Sequence, residues 1–305
     1  MKRLLDCRAS DFEKMTSKGF KQAILASEGR TVVAEVVAPA PPLFNQVTNG
    51  ELVASFGADI ILLNLFDVFE PVVAGLEDVD SFEVVRELKK LTGRPIGINL
   101  EPVDTGSRSL EELEEISKGR IASKETITKV KELGFDFVCL TGNPKTGVTN
   151  SEIVKAVGHV KEQHGSDLLV MAGKMHSSGV AGEEGGKIYS KDTLTQLVEA
   201  GADVILLPSP GTVPGVSIEQ TQKDAAWVRE KGALSMLAIG TSQEGADGGT
   251  IRQIALQNKM VGADIHHIGD AGYTGVAVPE NIMTLSVAIR GRRHTYVRMA
   301  ASIRR

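Results

Sequence analysis

The chain's reactive side chains gather at a few points. His266 and His267 precede a glycine-rich loop, Gly269-Asp270-Ala271-Gly272-Tyr273-Thr274-Gly275, and a second loop reads Gly240-Thr241-Ser242. An imidazole titrates near neutrality, which suits proton transfer or metal ligation. Backbone amides of such loops, with the Thr241 and Ser242 hydroxyls, can cradle a phosphate or another small anion. Asp270 argues the other way: it repels a bare phosphate unless it turns aside or binds a metal. Glu35 and Glu101 lie in or beside apolar runs, and a buried carboxylate is costly unless paired or functional. Lys174 and His176 open the glycine-rich stretch 173–187, a candidate lid. A desolvated lysine there can form a Schiff base or neutralise an oxyanion, and its position in the repeat favours the electrostatic role.

These residues need a scaffold that repeats. Gly57-Ala58-Asp59-Ile60, Gly134-Phe135-Asp136-Phe137, Gly201-Ala202-Asp203-Val204 and Gly262-Ala263-Asp264-Ile265 each open a short apolar run. Gly29, Gly93, Gly165 and Gly232 precede four more. Each glycine ends a helix in a left-handed turn and the next residues enter a strand. Strands are expected at 31–37, 59–65, 95–100, 135–140, 167–172, 203–207, 234–239 and 264–268, with amphipathic helices between them. Strict alternation implies a parallel sheet. Eight units in 305 residues predict a closed (β/α)8 TIM barrel spanning 1–305. A helical leader covers 1–30, and an arginine-rich final helix covers 290–305, packed on the barrel or at a subunit interface. The acidic stretch within 101–120 is expected to be a solvated helical flap.

Aligning the strands on their glycines separates two faces. One set of columns holds Glu35, Asn99, Glu101, Asn64, Thr141, Cys139 and His267; the alternate columns are aliphatic. The polar face belongs inside, at the C-terminal rim where barrels carry their sites. His267 then faces the site and His266 the helices. The competing reading is that Glu35 and Asn99 merely satisfy each other. Candidate catalytic residues are Glu35, Glu101, Lys174, His176 and His267. Candidate substrate-binding residues are Asn64, Asn99, Thr141, Asn143, Ser209, Gly240, Thr241, Ser242, Gly269 and Gly272. Asp67 and Asp270 are the candidate metal ligands.

Bulk properties narrow the class. The net charge of -5 gives no field to recruit nucleic acid. Only Cys7 and Cys139 occur, which reads as two reduced thiols in a cytoplasmic protein. The charged N-terminus lacks a signal-peptide core, and no apolar run reaches the roughly 20 residues of a membrane span. No dinucleotide fingerprint follows the first strand, so no nucleotide cofactor is expected; neither His-x-His nor His-Glu-x-x-His occurs.

The two loops resemble those of the phosphate-binding TIM-barrel superfamily, although IGTS and IGDAG replace that family's usual glycine pairs. A second resemblance, through Glu35, Asp67, Glu101 and Asp270, is to phosphoenolpyruvate mutase and isocitrate lyase barrels. That family's Lys-Cys-Gly-His stretch is absent, with Gly173-Lys174-Met175-His176 in its stead. The first resemblance implies a homo-oligomeric enzyme for a small anionic, phosphorylated metabolite, working by lyase, aldolase or isomerase chemistry. The second implies a magnesium-dependent carbon–carbon or carbon–phosphorus lyase. A non-catalytic ligand-binding or regulatory barrel is the alternative from another class.

Overall fold

A computed structural model describes residues 2–165 and 167–305, with the side chain of Tyr273 outside the described set. Eight parallel strands close into a barrel in chain order: β1 Thr31–Val37, β2 Ile60–Asn64, β3 Ile96–Leu100, β4 Phe137–Leu140, β5 Leu169–Gly173, β6 Val204–Pro208, β7 Leu234–Ile239 and β8 Ile265–Ile268. β8 returns to β1, pairing His267 with Val33. Helices α1 Ala9–Phe12 and α2 Ser17–Leu25 precede β1. Helices α3 Asn49–Ser55, α4 Val84–Thr92, α5 Lys124–Leu133, α6 Asn150–His164, α7 Lys191–Glu199, α8 Ile218–Glu230 and α9 Gly248–Val261 alternate with the strands, and α10 Pro279–Ala300 follows β8. Among the described residues no helix is long and apolar enough to cross a membrane.

The repeat has a physical reason. All eight strand-leading glycines have positive φ, the conformation an L side chain resists. The aspartates that follow four of them do a second job. Asp59, Asp136, Asp203 and Asp264 each accept a backbone N–H from the start of the preceding odd strand, at Val32, Ile96, Val170 and Ser235 (2.8–3.0 Å). Each also donates its own N–H to that same residue's carbonyl. One short motif thereby clamps four strand pairs at the bottom of the barrel. Each carboxylate also has a cation: Arg290 and Arg298 on Asp59, Lys89 on Asp136, Lys21 and Lys161 on Asp203, Arg229 on Asp264.

Alternation along the strands gives two separate cores. Val33, Leu62, Cys139, Met171, Leu206, Met236 and Ala238 fill the barrel, joined below by Phe12, Phe20 and Ile24 of the leader. Leu63, Val138, Leu140, Leu207 and Ile268 pack outward against the helices. Gly97 makes room for the Phe137 ring, which a Cβ at 97 would meet at 2.2 Å. The C-terminal helix bends at Gly291, and its Arg290 and Arg298 are buried beneath the barrel rather than displayed.

One expectation fails. Residues 101–117 form no helix; they run irregularly across the top of the barrel. Leu110 N–H donates to Gly179 O and Glu114 N–H to Lys145 O (both 2.8 Å), with isolated bridges Val103–Val148 and Ser109–Val180. The stretch has no continuous apolar stripe, Leu110 remains exposed, and backbone pairing with the β4 and β5 loops replaces helical bonds. It is a strap across the rim.

Candidate active site

A pocket of about 940 Å³ opens at the C-terminal ends of the strands. Its floor is a buried polar layer that alternation places inside the barrel. Glu35 of β1 accepts a short hydrogen bond from Asn99 Nδ2 of β3, and its other oxygen lies 3.1 Å from His267 Nε2 of β8. All three side chains are buried; Asn99 Oδ1 and both His267 ring nitrogens make no hydrogen bond, so His267 Nε2 approaches Glu35 without hydrogen-bond geometry. Thr141 Oγ1, from the end of β4, is also buried and unpartnered. Buried polar groups left open in this way are what a ligand completes.

Above the floor, Asn64 Nδ2 donates to Asn143 Oδ1 and to Asp270 Oδ2 (both 2.8 Å), and Asn143 Nδ2 donates back to Asn64 Oδ1 at 3.0 Å. Burial, then the charge of Glu35, pushes the Asp270 carboxyl up to about 7. Glu244 on the β7 loop is raised too, again chiefly by burial. His176 lines the rim with Nδ1 accepting Ser178 N–H at 3.1 Å; burial, then nearby Lys174, lowers it to about 4, so it is neutral at physiological pH.

Backbone strain marks the same place. Seven described non-glycine residues have positive φ, and six line this pocket: Leu65, Lys145, Ser178, Thr241, Ser242 and Ala271. Each costs on the order of 1–3 kcal/mol and persists only where the surroundings impose it.

Several predicted residues go elsewhere. Lys174 turns away from the pocket: its Nζ donates to Val148 O, Ser177 O and Glu183 Oε2 at 2.7–2.8 Å, fully buried. It staples the β5 loop, with no free amine turned to a substrate. Glu101 sits behind the pocket wall, paired with Arg120 and accepting Asn143 N–H at 3.0 Å. Ser209 is buried against Asn258 Nδ2 (2.8 Å). Asp67 closes its own turn by accepting Phe69 and Glu70 N–H, and it does not line the pocket that Asp270 lines. Among the described residues no three His, Cys, Asp or Glu side chains are grouped to hold a metal. His266 faces the helices, with Nε2 3.0 Å from Gly29 O, and burial lowers it to about 4.

The two glycine loops reach the pocket, and two of their amides already have partners: Gly269 N–H donates to Ile239 O and Gly272 N–H to Asp270 Oδ1. Glu244 and Arg120 are among the pocket residues that sequence reasoning passes over. Glu244 follows a loop read for its glycine and hydroxyls, and Arg120 ends a stretch read as solvated.

Residues 5–305 match the family described as a domain of unknown function, DUF7916, and the chain belongs to that family. No curated protein matches the sequence. Among solved structures, an archaeal fructose 1,6-bisphosphate aldolase is 14% identical with a TM-score of 0.56, over 90% of this chain and 98% of that one. The Amycolatopsis orientalis BexX/CysO complex gives 11% and 0.50, over 90% and 93%. A thiamine phosphate pyrophosphorylase from Pyrococcus furiosus gives 11% and 0.49, over 87% and 97%. At such identities the likeness is one of fold, the (β/α)8 barrel.

Proposed function

We propose that this DUF7916 chain is a barrel enzyme that moves a proton on a small anionic metabolite, in lyase or isomerase chemistry. The observation that carries the reading is the grouping of Glu35, His267 and Asn99 beneath Asp270, whose carboxyl is held at about 7. An acid that half-ionises near the working pH serves as donor and acceptor alike. Glu35 and His267 supply a second acid–base pair on the barrel floor; Asn143, held by Asn64, and Thr141 offer hydrogen bonds that orient a carbonyl or enolate. The named activity of the aldolase supports phosphorylated metabolites as the starting set of substrates. Schiff-base aldolase chemistry has less support, because the nitrogen of Lys174 is committed to three oxygens.

The test is a thermal-shift screen of small phosphorylated and carboxylated metabolites on the wild type and Glu35→Gln, with and without magnesium. The reading predicts anionic hits on the wild type that Glu35→Gln loses while its unliganded melting temperature changes little. A screen without an anionic hit, or hits of equal size on both proteins, counts against it. Hits that need magnesium instead favour the metal-dependent lyase.

A further inference from the structure

The geometry points to a ligand with two unlike ends: a protonated amine seated among Glu35, Glu244 and Asp270, and an anionic group facing Arg120. This names the substrate class of the site above and rests on that reading.

The first end follows from uncompensated charge. Glu35 comes from β1, Glu244 from the loop after β7 and Asp270 from the loop after β8, and all three line one pocket. Glu244 reaches across to β8, where a Cβ built on Gly269 would lie 3.7–3.8 Å from its Cγ and Cδ. Its Oε2 is buried with no partner. The charge of Glu35 acts on both of the others across the pocket they share. Their partners are Asn99, Asn64, His267 and backbone amides; no lysine or arginine is paired with any of them among the described residues. Buried carboxylates call for compensation, and an ammonium brings one positive charge with three donors. A metal needs its donors converging on one point at about 2.0–2.6 Å, an arrangement the described residues do not make.

The second end lies across the barrel. Arg120 lines the pocket from the strap after β3, held in place by Glu101, and its Nε is buried without a partner. Thr141 Oγ1, which lines the same pocket, is also unpartnered. On the β7 and β8 side the Gly269 and Gly272 N–H groups are taken by the chain's own oxygens, and the three carboxylates line the pocket there. An anion is therefore drawn toward Arg120 and repelled from the carboxylates. The polarity is opposite to the one the glycine loops suggest.

Matched probes separate the two ends. Calorimetric titration of the full chain at pH 8 compares O-phosphoethanolamine with ethyl phosphate, and O-phosphoserine with 3-phosphoglycerate. The amine-bearing member of at least one pair should bind about tenfold tighter or more, as expected when a buried charge gains its partner. Glu244→Gln should erase that preference, and Arg120→Gln should weaken both members of the pair alike. Circular dichroism checks the fold of each variant, and the wild-type comparison stands if Arg120→Gln does not fold. Equal or tighter binding of the amine-free members, no binding of any probe, or full affinity in a folded Arg120→Gln overturns the proposal. Anionic hits in the thermal screen beside equal affinity within the pairs sink this inference alone; a screen without anionic hits sinks the reading beneath it too.

Discussion

Asp270 is the residue on which pH acts most directly. Its carboxyl is raised from 3.8 to about 7, so the folded protein holds a proton there that the unfolded chain releases near pH 4. Glu35 and His267 are the titratable groups that face it, and Asn64 and Gly272 N–H bond it. Between about pH 4 and pH 7 the native state binds the extra proton, so this group's contribution to stability falls as pH rises through that window. Asp270→Asn removes the penalty. Denaturant melts should show the variant matching wild type at pH 4 and exceeding it by about 1–3 kcal/mol at pH 8; equal stability at both pH values would refute the assignment. Glu35→Gln keeps an acceptor for Asn99 and should cost under about 1.5 kcal/mol in stability. Turnover, once a substrate is in hand, should fall roughly 100- to 10,000-fold. Much of this layer was legible beforehand: parity alone split His267 from His266 and placed Glu35 and Asn99 together. Lys174 and Glu101 were not, because parity tells which way a strand residue points and is silent about where a loop takes the next one.

The βα loops carry the site, and their positions depend on staples more than on secondary structure. Lys174 ties β5's exit to Val148, Ser177 and Glu183. Lys174→Met should leave Glu183 short of its cation and two carbonyls short of a donor, costing about 3 kcal/mol. Limited proteolysis should then cut within 177–187 faster than in the wild type; unchanged cleavage would argue against the staple. Borohydride trapping with carbonyl metabolites should label no lysine at 174. The strap over 101–117 shows why the sequence misled about one element. Its leucines and glutamates have helix-like spacing, but strand-like bonds to Gly179 and Lys145 are made by a neighbouring loop that a local reading does not see.

The barrel as a whole was the most legible feature, since the glycine and aspartate of each repeat act through backbone geometry that any barrel of this kind must satisfy. What the repeat did not disclose was its cationic counterpart. Asp59 meets Arg290 and Arg298 from the other end of the chain, and Arg94 packs beside them, all buried. Asp59→Asn strands those arginines and should destabilise the fold by about 3–5 kcal/mol in equilibrium unfolding; a loss below about 1 kcal/mol would show the bottom clamp to be dispensable. The rim is a different matter, because carboxylates from β1 and from the loops after β7 and β8 come to line one pocket only when the barrel closes. The central claim, that these groups move a proton on a bound anion, has one direct measurement. A metabolite that stabilises the protein is incubated with it in deuterated water, and its carbon-bound deuterium is read by mass spectrometry. The account predicts incorporation by the wild type that Asp270→Asn and Glu35→Gln slow at least roughly 100-fold. Incorporation no faster than without protein, or unchanged in both variants, would contradict it.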